Sequence, residues 1–144
     1  MSLEAIAVRY PPAPRTTRLR TIDEPPLAFR DERLARSLGR LVQDGAGDEL
    51  ALLVDRDGLV VGASSEGDHD ELAAIGAHAM LLADRMAPAY GEVASFALQL
   101  RDGRRIEVRD IGFLGCHLVK VGGRPLDALP FDRVARELRL TLGH

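Results

Sequence analysis

The sequence predicts an α+β domain in which helices sandwich a five-stranded antiparallel sheet, in the order α-β-β-α-β-β-β-α. Three observations predict this class. Two tight turns, 55–58 and 101–104, each contain an Asp-Gly pair between short apolar or alternating runs, as β-hairpins do. Three segments place apolar residues at the spacing of an amphipathic helix. A late segment, 113–121, is apolar on both faces, which is typical of a central strand covered on both sides.

The ends of the elements are predicted from capping residues and breakers. Asp68 and Glu71 have the spacing of an N-cap and its partner three residues on, so a long helix starts just after Asp68. That helix is expected to stop around Pro88 and Gly91. The segment 94–100 alternates apolar with small or polar residues, which predicts a strand with one apolar face. The predicted helices are 31–42, 69–87 and 128–142, and the predicted strands are 50–54, 59–63, 94–100, 105–111 and 113–121.

Composition and charge exclude several classes of protein. The chain has 144 residues, of which 46% are apolar and 28% charged, and this balance indicates one soluble globular domain. No apolar run approaches the roughly 20 residues of a membrane helix, and residues 1–30 contain no signal-peptide core, so we expect a cytoplasmic protein. A net charge of −3 argues against non-specific nucleic-acid binding. Cys116 is the only cysteine, which excludes a disulfide framework and a multi-cysteine zinc site.

Lysine is nearly absent, since 18 of the 19 basic residues are arginine. We interpret this bias as the codon usage of a GC-rich bacterial genome. The single Lys120 lies between two valines and not in a Gly-Lys-Ser/Thr motif. A phosphate-binding P-loop requires that motif, so the protein is not a P-loop NTPase.

The first 28 residues differ in composition from the rest of the chain. They contain five of the eight prolines and several arginines. Proline removes backbone donors and fixes φ, so we expect an extended, partly disordered arm over 1–28 and a globular domain over 29–144. Two alternatives remain: a strap packed on the domain through its few apolar side chains, and a linear motif that binds a partner.

No motif for catalysis, cofactor binding or metal binding stands out. Asp55-x-Asp57-Gly58 lacks the later ligands of a calcium loop and is better explained as a hairpin turn. The acidic run 68–71 suits a helix start better than a metal site. Cys116 and His117 are neighbours on one strand, so they point to opposite faces and cannot form a nucleophile–base pair. The prediction is a protein with no catalytic residue, no cofactor and no metal.

The long helix carries too many apolar residues for a helix covered on one face only. Its small residues widen the apolar surface well beyond one stripe, and we expect a partner helix to cover it. The alternative is a helix enclosed by its own domain with help from the arm. Charged or polar residues remain along one line of the helix, Glu71, His78 and Arg85, which is the predicted partner-binding surface. The residues of the helix that are predicted to contact this partner are Ala73, Gly76, Ala77, Met80 and Ala83.

Two segments resemble a known family. The hairpin LALLVDRDGLVVGAS, residues 50–64, is similar to the first hairpin of the Roadblock/dynein light chain family, and DELAAI, residues 70–75, resembles the start of that family's second helix. The resemblance extends over about 31–142. It implies a homodimer in which the second helices pack together and the third strands, here about 93–100, pair edge to edge. By this resemblance the partner of the long helix is a second copy, and Phe96 and Leu98 join its five small or flexible residues in the predicted dimer interface. The resemblance also implies the absence of a cofactor, and, for bacterial members, a Ras-like small GTPase as partner.

The function predicted from these observations is that of a non-enzymatic homodimeric adaptor that regulates a Ras-like small GTPase, as a scaffold or by accelerating hydrolysis. One alternative is a sensor domain that binds a small molecule, because helix-covered antiparallel sheets can contain ligand pockets. A small enzyme is a second alternative, since carboxylates and arginines are plentiful.

Overall fold

The computed structural model describes residues 27–42 and 49–143 of the protein. Within these ranges the elements follow one another in the predicted order, and the five strands form one antiparallel sheet, so the predicted fold class is confirmed. The helices are α1 (Leu27–Gly39), α2 (Asp70–Tyr90) and α3 (Ala128–Leu142), and the strands are β1 (Leu50–Val54), β2 (Val60–Ala63), β3 (Phe96–Gln99), β4 (Arg105–Phe113) and β5 (Cys116–Gly122).

The first helix starts earlier than the sequence predicts. α1 begins at Leu27, inside the predicted arm, and ends at Gly39. The rest of that arm, 1–26, lies outside the described residues. The boundary between arm and domain at residue 28 therefore stays a prediction.

The long helix is displaced slightly toward its C-terminus relative to the prediction. Its N-cap is His69, and the carboxylate of Asp68 accepts a hydrogen bond from the amide of Asp70 at 3.1 Å, not from that of Glu71. Pro88 lies inside the last turn, and the helix continues past it to Tyr90. Proline thus marks the final turn of α2 without ending the helix.

β5 lies at the centre of the sheet, whose strand order is β2-β1-β5-β4-β3. All of its residues are buried, which confirms the prediction of a strand covered on both faces. The hairpin that leads into β5 differs from the prediction, because Phe113 ends β4 and residues 114–115 form the turn, with φ of +54° and +75°. Phe113 consequently packs on the side of Cys116, and not on the side of Val119 as simple alternation along one strand predicts.

Each face of the sheet has its own apolar cluster. α1 and α3 together cover one face, and α2 alone covers the other. The buried residues of the first cluster are Leu34, Leu38, Leu41, Ala51, Leu53, Ile111, Cys116, Leu118, Leu126, Val134, Ala135 and Leu138. Those of the second are Leu52, Val54, Ala73, Ile106, Val108, Val119 and Val121.

Buried charged residues on the sheet are paired with neighbouring groups. The ammonium of Lys120, the only lysine, lies 3.7 Å from the Glu49 carboxylate and donates a hydrogen bond to the Arg124 carbonyl at 3.2 Å. The carboxylate of Glu107 accepts a hydrogen bond from the Leu126 amide at 2.6 Å. These contacts attach the segment that precedes α3 to the sheet. Lys120 therefore has a structural role.

α2 lies close to the sheet because the residues beneath it are small. Ala73, Gly76 and Ala83 are its buried residues. A Cβ atom placed on Gly76 would lie 2.5 Å from Val119 Cγ2 and 3.2 Å from His117 Nε2. No side chain larger than hydrogen fits at this crossing of α2 over β5.

Gly76→Ala is expected to lower the free energy of unfolding by about 1–3 kcal/mol, since the added methyl group must displace β5 side chains or the helix itself. Gly39→Ala is the matched control, because Gly39 is also helical and a Cβ there would meet nothing within 4 Å. That control should be neutral or gain up to about 1 kcal/mol from helix propensity. Urea denaturation followed by circular dichroism measures both. Equal stability of the two variants would contradict the close approach of α2.

Candidate functional site

A groove lined by apolar side chains runs between α2 and β3. The large residues Ile75 and Leu82 border it on α2 and are 38% and 47% exposed, and Leu98 on β3 is 46% exposed. These fractions show that three large apolar side chains on adjacent elements are left uncovered. The cavity has a volume of about 270 Å³. Its lining residues are Ile75, His78, Ala79, Leu82, Phe96, Leu98, Ile106 and Val108, and we call it the α2–β3 groove.

β3 forms one edge of the sheet beside this groove. It pairs with β4, and no strand in the described ranges pairs with its other side. The Leu100 amide donates to the Arg104 carbonyl at 2.8 Å, and in an antiparallel ladder every second amide points to the same neighbour. The amides of Ala97 and Gln99 therefore point away from β4, toward the open edge. An open edge is a template for another strand.

The residues predicted for the dimer interface separate into three groups. Ala73, Gly76 and Ala83 lie against the protein's own sheet, where a second chain cannot reach them. Ala77 and Met80 are half-buried and lie beside a different cavity, described below. Phe96 and Leu98 line the α2–β3 groove.

The structure buries the small residues Ala73, Gly76 and Ala83 of α2 and leaves Ile75 and Leu82 exposed. The sequence analysis expected those small residues to contact a partner and did not single out the two large ones. Ile75 and Leu82 were therefore missed as exposed residues. The signal that could have revealed them is Gly76, since a glycine in the middle of a long helix is costly unless something approaches it closely.

The predicted partner-binding residues share one exposed side of α2. Glu71, His78 and Arg85 are all exposed and lie seven residues apart along the helix. The Nδ1 atom of His78 donates a hydrogen bond to the Ala74 carbonyl at 2.9 Å. His78 also lines the α2–β3 groove, so this line of polar residues borders the apolar groove.

Three solved structures are similar to this chain over most of its length. One, described as MglB with tetrameric arrangement, has 22% identity and a TM-score of 0.63 over 78% of this chain and 89% of that one. The gliding protein MglB from Thermus thermophilus has 21% identity and a TM-score of 0.63, covering 78% and 90%. A Roadblock/LC7 domain from Streptomyces avermitilis has 20% identity and a TM-score of 0.55, covering 78% and 91%. The chain has the Roadblock/LC7 fold.

The resemblance seen in the hairpin and the helix start is thus confirmed at the level of the fold. No protein-family model and no curated protein sequence matches the chain. Within the described part of this Roadblock/LC7 fold, none of the helices has the length and apolar character needed to cross a bilayer. Among residues 27–42 and 49–143, no group of three or more His, Cys, Asp or Glu side chains is placed to hold a metal ion.

A second cavity lies on the other side of α2, with a buried histidine in its wall. His117 is 1% exposed, and burial lowers the pKa of its imidazole because the charged form loses solvation. The Gly115 carbonyl and the carboxylates of Asp110 and Asp55 act in the opposite direction but are outweighed. The cavity has a volume of about 320 Å³, and we call it the His117 pocket. Its lining residues are Arg56, Ala77, Met80, Leu81, Asp84, Asp110, Gly115 and His117.

Cys116, the neighbour of His117 along β5, points into the opposite cluster. It is 6% exposed, and burial raises the pKa of its thiol, with the negative charges of Asp55 and Asp110 adding to the effect. The thiolate is the reactive form of cysteine, so this residue is suited to packing and not to nucleophilic chemistry.

The free energy of unfolding should fall as the pH decreases below about 6.5, the pKa of an unperturbed histidine. Because folding lowers the pKa of His117, the unfolded state binds more protons in the window between its two pKa values, and acidification favours that state. His117→Gln removes this contribution and should flatten the pH dependence measured by urea denaturation. Parallel pH profiles for the wild type and His117→Gln would show that His117 is not buried in its neutral form.

Proposed function

We propose that this protein is a member of the Roadblock/LC7 family and acts as a non-enzymatic, cytoplasmic homodimeric adaptor that regulates a Ras-like small GTPase. The observation that carries the proposal is the α2–β3 groove beside the open edge of β3. The groove supports self-association, and the family resemblance supports the class of partner. A small enzyme receives less support, because the groove contains no nucleophile paired with a base.

A second copy of this chain suits the groove better than water does. Ile75, Leu82 and Leu98 are large apolar side chains, and burying apolar surface contributes about 25 cal/mol per Å². A twofold axis beside β3 would bring each groove against α2 of the other copy and pair the two β3 edges, as the family resemblance implies. Such an isologous contact covers the apolar groove and the strand edge together. One of the similar structures, an MglB, is described as having a tetrameric arrangement.

The partner surface proposed for the GTPase is the line of Glu71, His78 and Arg85. In the proposed dimer these residues border the contact between the two α2 helices and face outward. Two such lines, one from each copy, would form a polar strip across the dimer. Because the strip depends on the dimer, loss of self-association should weaken binding of the partner as well.

The contacts of two arginines argue against a role as a catalytic arginine finger. Arg104 pairs with Asp102 at 2.8 Å. Arg109 donates to the Leu126 carbonyl at 2.7 Å and lies 5.1 Å above the centre of the Phe131 ring. We therefore propose that any acceleration of GTP hydrolysis arises by reordering the loops of the GTPase.

Leu82→Arg should convert the dimer to a monomer, because it places a charge in the apolar groove. Leu81→Arg is the matched control: it lies next to Leu82, is 60% exposed, and borders the His117 pocket on the other flank of α2. Light scattering coupled to size exclusion at micromolar concentration measures the mass of each variant. We expect a dimer for the wild type and Leu81→Arg, and a monomer for Leu82→Arg. A monomeric wild type would refute the homodimer.

Single replacement of Arg85, Arg101, Arg104 or Arg109 by alanine should reduce stimulated GTP hydrolysis by much less than an arginine finger contributes, which is about 10³–10⁵ in rate. The measurement requires the GTPase purified from the same organism by affinity to this protein and identified by its P-loop. Hydrolysis is followed as phosphate release, with complex formation checked in parallel. A loss of about a hundredfold or more from one change, with the complex intact, would assign a finger to this protein.

A further inference from the structure

The sheet has a second open edge, on the side away from the proposed dimer. β2 ends the strand order and pairs with β1, and no other strand of the described ranges adjoins it. The Ser64 amide donates to the Ala51 carbonyl at 2.9 Å. Because every second amide of an antiparallel ladder points to the same neighbour, the amide and the carbonyl of Ala63 point away from β1. The register shift in the β1–β2 pairing lies before Gly62, so the pairing at Ala63 is regular.

β2 has no side chain that would oppose another strand at this edge. Its sequence, Val-Val-Gly-Ala over 60–63, contains neither a charged residue nor a proline, and all four residues are partly exposed. Proteins commonly protect an open edge with such residues or cover it with another segment of the chain. The β2 edge therefore calls for a cover.

A groove with acidic side chains lies along this edge, between β2 and α1. It has a volume of about 480 Å³, and residues 60–63 form one of its walls. Asp31 and Glu32 on α1 and Glu66 after β2 supply its carboxylates, and apart from His69 no basic side chain lines it. The three acidic residues are exposed, and none of them has an ion-pair partner in the described part of the chain. We call this cavity the β2 groove.

The chain enters α1 beside the β2 groove. α1 begins at Leu27, and Asp31 follows one helical turn later, about 6 Å along the axis. Residues 1–26, which lie outside the described ranges, are therefore tethered next to the open edge. A short tether gives an effective concentration of about millimolar, so even weak contacts suffice to hold a tethered segment.

One stretch of the tethered sequence, residues 15–22, has the composition of a strand with basic side chains. It reads Arg-Thr-Thr-Arg-Leu-Arg-Thr-Ile, which is rich in β-branched residues and contains neither proline nor an acidic residue. In an extended strand Arg18 and Arg20 share one face, with Leu19 on the other. From residue 22 to residue 27 the chain can span about 17 Å, which is more than the distance along α1 to Asp31.

The charge of this stretch selects it over the rest of the arm. The other stretch of alternating residues, 4–10, contains one arginine and one glutamate, so it has no charge to match the acidic groove. Residues 11–14 contain three prolines, and proline cannot donate to a strand ladder. Residues 15–22 contain three arginines and no carboxylate, which complements the three carboxylates of the β2 groove.

We propose that residues 15–22 add a sixth strand to the sheet along the open edge of β2, with Arg18 and Arg20 directed at Asp31 and Glu32. Main-chain hydrogen bonds supply the pairing, as in other cases where an extended segment joins a sheet edge. Exposed ion pairs contribute about 0–1 kcal/mol each, so they choose the segment more than they hold it. The added strand covers the β2 edge and leaves the β3 edge for self-association. The contact requires neither the dimer nor a GTPase, so its failure and the failure of the proposed function are separate outcomes.

Amide hydrogen exchange at Ala63 in the ¹⁵N-labelled full chain tests the sixth strand. Ala63 should exchange at least tenfold more slowly in the wild type than in Arg18→Glu/Arg20→Glu, because the reversed charges repel the acidic groove and release the segment. Arg9→Glu/Arg101→Glu makes the same change of net charge outside residues 15–22 and should keep the slow exchange of the wild type. Equal exchange of Ala63 in the wild type and in Arg18→Glu/Arg20→Glu would overturn the proposal.

Charge exchange identifies the occupant of the edge. Adding Asp31→Arg/Glu32→Arg to the variant with both reversed arginines should restore slow exchange at Ala63, because opposite charges face each other again. Unrestored exchange in this fourfold variant would overturn the pairing with α1. In the wild type the slow exchange should not depend on protein concentration, and it should persist in Leu82→Arg. Slow exchange that disappears on dilution would assign the edge to a second copy and overturn the assignment to residues 15–22.

Discussion

The close crossing of α2 over β5 is the contact on which the rest of this structure depends. Gly76 has no side chain, and the helix backbone approaches Val119 and His117 to a distance that a methyl group would not allow. Where the helix lies that close, its buried residues are small: Ala73, Gly76 and Ala83. Ile75, Leu81 and Leu82 lie to the sides and outward, where the single layer formed by α2 does not cover them.

Both cavities beside α2 lie next to this crossing. On the β3 side, Ile75 and Leu82 create an apolar groove beside an unpaired strand, and a second copy of the chain can cover both. On the other side of α2 a cavity lies between the helix and the ends of two hairpins, with His117 in its wall. The opposite face of the sheet has two helices over it, α1 and α3, and most of its apolar residues are buried.

The sequence predicts the order of the elements, the sheet and its central strand, because these depend on local signals. The Asp-Gly pairs mark turns, and a strand that is apolar on both faces has to be central. The predicted details that the structure corrects, such as the end of β4, depend on tertiary contacts. The turn at 114–115 requires a leucine with φ of +54°, which no turn signal at that position indicates.

The orientation of α2 depends on contacts that the sequence pattern does not contain. Hydrophobic periodicity shows that the helix is apolar over a wide arc, but not which part of the arc is in contact with the sheet. That choice is made by the side chains of β5, which lie some forty residues further along the chain. The burial of His117 could not be read from the sequence either, because a histidine in an apolar strand does not show whether its ring nitrogens are hydrogen-bonded.

The central claim is that the outward-turned flank of α2 and the open edge of β3 form one surface that a second copy covers. Amide hydrogen exchange at Ala97 and Gln99 tests it most directly, since these two amides point to the open edge. At concentrations where the protein is a dimer they should be protected, and dilution or Leu82→Arg should release that protection, while Phe96 and Leu98, bonded to β4, stay protected throughout. A dimer in which Ala97 and Gln99 exchange as freely as in the monomer would contradict the claim.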